Sequence, residues 1–137
     1  GHTYSANPLC CAAALANLDV FVEEKTLDRL QPKIQELTQL LEPLDDHPHV
    51  GDIRQRGFMV GIELVKDRNT KQSFPEQEQV GVKVVVAARK HGIIVRNLSD
   101  VIVLMPPLAI QQEQLVQLVL GVRAAISEVC RSEVCDA

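Results

Sequence analysis

The stretch that decides the fold is IRQRGFMVGIELV, residues 53–65. Two runs, IRQR and FMVGIELV, meet at Gly57, a residue suited to the tight turn such a junction requires. The second run is rich in apolar and β-branched residues and reads as a mostly buried strand. A connection this short cannot be a parallel crossover, so the two strands pair antiparallel. The pattern recurs downstream, where IIVRNL (93–98) and VIVLM (101–105) flank the turn Ser99-Asp100 and Pro106-Pro107 stops the second run.

Helical patterns fill the remainder. Asn7 can cap a helix that starts at Pro8 and continues through LCCAAALANLDVFVEE to about Glu24. Thr26 is expected to cap a second helix whose stripe is Leu27, Leu30, Ile34, Leu37 and Leu41, with Pro43 expected to end it. A third is expected to begin near Pro75 and to run through VGVKVVVAARKH to Gly92, its basic last turn and following glycine marking the C-terminus. A fourth carries Leu115, Leu118, Val119, Val122 and Ile126 on one face. The order α-α-β-β-α-β-β-α predicts an α+β fold with a small mixed or antiparallel sheet covered by helices. The expected organisation is a helical segment over 1–46, an α/β domain over 47–129 and a polar tail over 130–137. Periodicity alone fits a ferredoxin-like binding module in the second half equally well.

Composition narrows the function classes. The chain has 137 residues, 46% apolar and 23% charged, which is the balance of a globular domain, and its apolar runs are too short to cross a bilayer. The start GHTYSANPL has neither a secretory nor a transit-peptide pattern, so a cytoplasmic location is expected. A net charge of −4, with basic residues dispersed among acidic ones, argues against a nucleic-acid partner. With 3% aromatics and no Trp there is no platform on which bases could stack. Cys10 and Cys11 are expected as buried thiols in the first helix, and Cys130 and Cys135 in a loose tail. Neither pair has metal-site spacing, and His47 and His49 read as members of a solvated turn, so no metal is expected.

Two passages carry more information, GHTYSANPL (1–9) and GIIVRNLSDVIVLMPPLAI (92–110). In this order and at this separation they resemble the class III pyridoxal-phosphate aminotransferases of fold type I, and the resemblance covers nearly the whole chain, fading after about Glu128. It implies the small C-terminal domain of such an enzyme and pyridoxal 5'-phosphate as cofactor. MVGIELV together with VLMPPLAI resembles the branch of the family that passes an amino group from S-adenosylmethionine to 8-amino-7-oxononanoate in biotin synthesis. Another class III enzyme acting on an ω-amino acid is the nearest alternative.

The resemblance also implies roles for particular residues. Thr3, with His2 and Tyr4 beside it, matches the string that binds the cofactor phosphate of the neighbouring subunit, which implies a homodimer. A hydroxyl with flexible neighbours suits a phosphate dianion. Arg96 matches the arginine that pairs with the carboxylate of a small-molecule substrate, for which its planar fork is suited. The cofactor-bearing lysine of the family belongs to a large domain upstream of the H-T-Y string, so Lys25, Lys33, Lys66, Lys71, Lys83 and Lys90 are not expected to replace it, and no catalytic residue is assigned within these 137 positions. A piece of this kind is expected to be inactive by itself. Three departures stand out. Ala6 occupies a position where Gly is usual, so either a backbone torsion reserved for Gly is strained there or the turn is relaxed. Asn97 stands where Pro is usual, and Val103 where some members carry an aromatic residue.

Overall fold

A computed structural model describes residues 5–134, with side chains through Arg131. The chain divides into two compact units at a point within its second helix, between Lys33 and Ile34.

The first unit contains α1 (Pro8–Glu23) and the opening of α2 (Thr26–Asp45). Asn7 caps α1 as expected, its side-chain oxygen accepting from the backbone N–H groups of Leu9 and Cys10. Ala6, just before the cap, sits at φ 56, in the left-handed region where a Cβ is disfavoured. The torsion reserved for glycine is therefore retained and the strain is real. No residue of α1 is buried, and Cys10 and Cys11 are exposed, contrary to the expectation of buried thiols. The apolar residues of α1 are spread around the helix without a single polar face, the character of a helix covered by other protein. Lys25, at φ 51, accepts the Arg29 N–H through its carbonyl, which makes Thr26 the first helical residue and not the cap.

The second unit is the α+β domain. Its part of α2 buries Leu37, Leu41 and Leu44. Pro43 does not end the helix, which continues to Asp45. Pro43 deprives the final turn of one N–H bond, while the neighbouring Leu44 is completely buried, and such burial is worth about 1.5–3 kcal/mol and offsets that loss.

Strands β1 (Val50–Arg56), β2 (Met59–Leu64), β3 (Arg96–Leu98) and β4 (Val101–Leu104) form one sheet in the order β1-β2-β4-β3, with every pairing antiparallel. Gly57, at φ 60, makes the β1–β2 turn, and Ser99, at φ 51, lies in the β3–β4 turn. Strands β2 and β3 consequently run parallel with β4 between them, joined by α3 (Val80–Ala88). Residues facing one another across a ladder share a side of the sheet. Val60, Ile62, Leu64, Ile102 and Leu104 thus form one buried face, and α4 (Gln112–Val134), which packs against α3, buries Leu115, Val119, Val122 and Ile126. The opposite face carries Gly61, Glu63, Val101 and Val103, and there Arg54 bonds both Glu63 at 2.8 Å and Asp52 at 3.0 Å.

Three boundaries differ from expectation. After Pro75 the chain makes a 3-10 turn over Glu76–Glu78, and Gln79 at φ 47 separates it from α3, which starts at Val80. Strand β3 begins only at Arg96, because the Ile93 N–H is bound to Ala88 O in the helix termination and the Ile93 side chain is buried against Gly121 of α4. Helix α4 continues through the residues expected to begin a tail, and Cys130 is buried on it at 1% exposure. Among the described residues no helix is long and apolar enough to cross a membrane.

Candidate substrate-carboxylate site

The sequence singles out four site residues, and His2, Thr3 and Tyr4 lie outside the described residues. The fourth, Arg96, is the first residue of β3 and is exposed. It stands opposite Val103 in the β3–β4 ladder, and both border an open groove of about 570 Å³. The groove continues along Ile94, Met105, Pro106 and Ile110 and is closed on one side by Leu118 of α4. Among the described residues Arg96 is its only charged lining residue, and the guanidinium has no hydrogen-bond or ion-pair partner. Ile94 at 87% and Met105 at 64% exposure present bare aliphatic surface beside it. One cation at the margin of an aliphatic groove is an arrangement that can bind a chain of methylenes ending in an anion.

The hairpin bearing Arg96 is anchored at its turn. Gly81, in the first turn of α3, donates its N–H to Asp100 Oδ1 at 3.1 Å. This supplies from another element the cap that Gln79, with no side-chain bond to the helix, does not provide. Asp100 O also accepts the Leu64 N–H of β2 at 2.9 Å. Asn97 Nδ2 donates to Ser99 O at 2.8 Å, so the residue that replaces the usual Pro braces a turn held at positive φ. Only glycine fits at position 81, since a Cβ there would stand 2.1 Å from Ser99 O.

None of the six lysines lines the groove, and the five other than Lys33, which is half-buried, are exposed. The apolar wall of the groove was not legible in the sequence, where Ile94 and Met105 read as strand residues. The signal that bore on it is Pro106-Pro107, which forces Met105 out of the ladder. A second concentration of polar groups also escaped sequence reading, with His47 beside Ser127 of α4.

Groove, arginine and anchored hairpin belong to one α+β domain, and comparison with known proteins identifies its kind. Residues 1–126 match the family described as aminotransferase class-III, and the chain belongs to that family. It is 57% identical over 126 residues to the adenosylmethionine-8-amino-7-oxononanoate aminotransferase of Nitratidesulfovibrio vulgaris, covering 92% of this chain and 23% of that protein. The enzyme of the same name from Aquifex aeolicus is 48% identical, with 93% and 28% covered. Among solved structures, that of the adenosylmethionine-8-amino-7-oxononanoate aminotransferase of Methanocaldococcus jannaschii superposes with a TM-score of 0.89 at 44% identity, covering 93% of this chain and 29% of that one. An (S)-enantioselective omega-transaminase from Thermomicrobium roseum gives 0.88 at 40% identity, with 94% and 29% covered. The chain thus spans about a quarter of the length of the curated relatives it matches.

Proposed function

We propose that this chain is the C-terminal part of a protein that transfers an amino group from S-adenosylmethionine to 8-amino-7-oxononanoate in biotin synthesis, with Arg96 binding the acceptor's carboxylate. The observation that carries this reading is a guanidinium at an aliphatic groove that has no partner among the described residues. The acceptor is a nine-carbon chain ending in a carboxylate, and it needs both features. The identity of 43–57% to five proteins bearing that enzyme's name supports the same choice over an ω-amino-acid substrate.

Pyridoxal phosphate, when bound, supplies the electron sink for amino transfer. Thr3, with His2 and Tyr4, would contribute hydroxyl and backbone donors to its phosphate, a donor set whose chemistry fits that group. In a homodimer these donors serve the neighbouring subunit. The cofactor-bearing lysine belongs to the remainder of the protein, so these 137 residues alone are inactive. The segment 1–46 links the remainder to the small domain, and the enzyme works in the cytoplasm.

The test compares two variants of the whole enzyme. Arg96→Ala loses one or two charge-assisted bonds, so kcat/KM for 8-amino-7-oxononanoate falls roughly 10²-fold while cofactor affinity is unchanged. Arg96→Lys recovers part of the loss, because an ammonium keeps the charge without the fork. Thr3→Ala does the reverse, weakening cofactor binding and the dimer. Loss of cofactor from Arg96→Ala with intact acceptor kinetics would refute the assignment. Faster turnover with an ω-amino acid than with S-adenosylmethionine would refute the donor.

A further inference from the structure

Helix α4 carries Arg123, Ser127 and Arg131 at intervals of four, so the three side chains form a column on one helix face. The column borders a second cavity, of about 620 Å³, whose opposite wall is the α2–β1 connection with His47 and His49. The direction of the hydrogen bonds across this cavity follows from the chemistry of the donors. A backbone N–H can only donate, and that of His49 reaches His47 Nδ1 at 3.2 Å. Nδ1 is therefore bare, and the ring hydrogen is on Nε2. Nε2 lies 3.2 Å from Ser127 Oγ and donates to it. Ser127 thus accepts, and its own hydroxyl hydrogen has no acceptor among the described residues. One turn to either side stands a guanidinium, and neither has a carboxylate partner among the described residues. Among the described residues Asp46, which is exposed, is the only carboxylate in the lining.

Partial burial, the neighbouring His49 and the charges of Arg123 and Arg131 together hold the His47 pKa below the usual histidine value. The ring stays neutral near pH 7 and keeps its hydrogen on Nε2, where it orients Ser127. The repulsion also places both guanidiniums within electrostatic reach of the cavity wall.

We propose that this cavity is a binding site for a phosphate monoester, its phosphoryl group held between Arg123 and Arg131 with the Ser127 hydroxyl donating to a third oxygen. Three separate donors match the three terminal oxygens of a phosphoryl group, whereas a carboxylate offers two. The cavity is much larger than a phosphate ion, which favours an ester over the free anion. The site is separate from the Arg96 groove and does not depend on the reading of that groove.

The experiment titrates inorganic phosphate, phenyl phosphate and malonate into the whole, cofactor-loaded protein and follows the His47 ring signals by NMR, a readout local to this cavity. Both phosphates should shift these signals saturably, phenyl phosphate several-fold more tightly. Arg123→Ala and Arg131→Ala should each weaken binding roughly ten-fold, the loss expected for one charge-assisted contact. Ser127→Ala should cost a few-fold. Arg89→Ala removes the same charge outside this cavity and should change nothing. Equal weakening in Arg89→Ala, undisturbed His47 signals, or malonate binding as tightly as phosphate would each overturn the proposal.

Discussion

Gly81→Ala tests the joint between α3 and the β3–β4 hairpin. The added Cβ would lie 2.1 Å from Ser99 O and 3.2 Å from Asp100 Cα, both backbone atoms, so the turn must retreat by about 1 Å. Overpacking of this kind costs about 1–3 kcal/mol. The retreat also removes the Gly81 N–H from Asp100 Oδ1, a bond to a charged acceptor worth about 1.5–3 kcal/mol. Alanine returns about 1 kcal/mol of helix propensity. The net expectation is a destabilisation of about 1.5–5 kcal/mol, read as a lower urea midpoint with an unchanged slope. Gly121→Ala is the matched control. It too lies within a helix, but its Cβ would meet the Cδ1 tip of Ile93 at 2.8 Å, and a side-chain tip can rotate away. Its net cost should be about 0–1 kcal/mol, since strain and propensity nearly cancel. If Gly81→Ala were as stable as the parent, or Gly121→Ala cost as much, the joint would not be rigid and the reasoning would fail.

Two further outcomes are expected. Ala6→Gly relieves a left-handed torsion and should stabilise the start of α1 by about 1 kcal/mol, less the entropy that glycine adds to the unfolded chain, seen as slower amide exchange at Leu9 and Cys10. Unchanged exchange would show that the torsion carries no strain. His47, with its pKa lowered in the fold, binds fewer protons folded than unfolded, so its contribution is complete above pH 6.5 and declines as pH falls toward the folded value. His47→Gln should flatten the stability profile below pH 6.5, measured by urea midpoints across pH, and a profile as steep as the parent's would exclude His47 as the source.

What could be read from the sequence was whatever local chemistry decides. Gly57 and Ser99-Asp100 marked the two hairpins because turns select their residues; Gly92, at φ 73, closes a 3-10 turn over Arg89–His91, and α3 itself ends earlier than expected, at Ala88. The start of α3 was missed because Gln79 takes a left-handed conformation without being Gly or Asn, which leaves no local signal. The continuation of α2 past Pro43 depends on the burial of Leu44, a tertiary fact. Arg96 stood out from its neighbours in sequence as a candidate, but the open aliphatic wall around it required knowing that residues 93–95 lie outside the ladder. His47 and Ser127 are 80 positions apart, and only packing of α4 brings them together.

The placement of Arg96 reduces to one residue with two tasks. Asp100 uses its carboxylate to cap α3 at Gly81 and its carbonyl to extend the β2–β4 ladder at Leu64. The hairpin is thus held simultaneously to the helix in front of it and to the central strand beside it, and Asn97 fixes the turn between. With three such restraints, the freedom left at β3 lies in the Arg96 side chain beyond its backbone, which starts the strand opposite Val103. A guanidinium on a fixed root loses less entropy in forming two parallel bonds than one on a mobile loop. Glycine at 81, aspartate at 100 and asparagine at 97 therefore form a chain of causes that ends at the groove arginine, Arg96, although none of the three lines its groove.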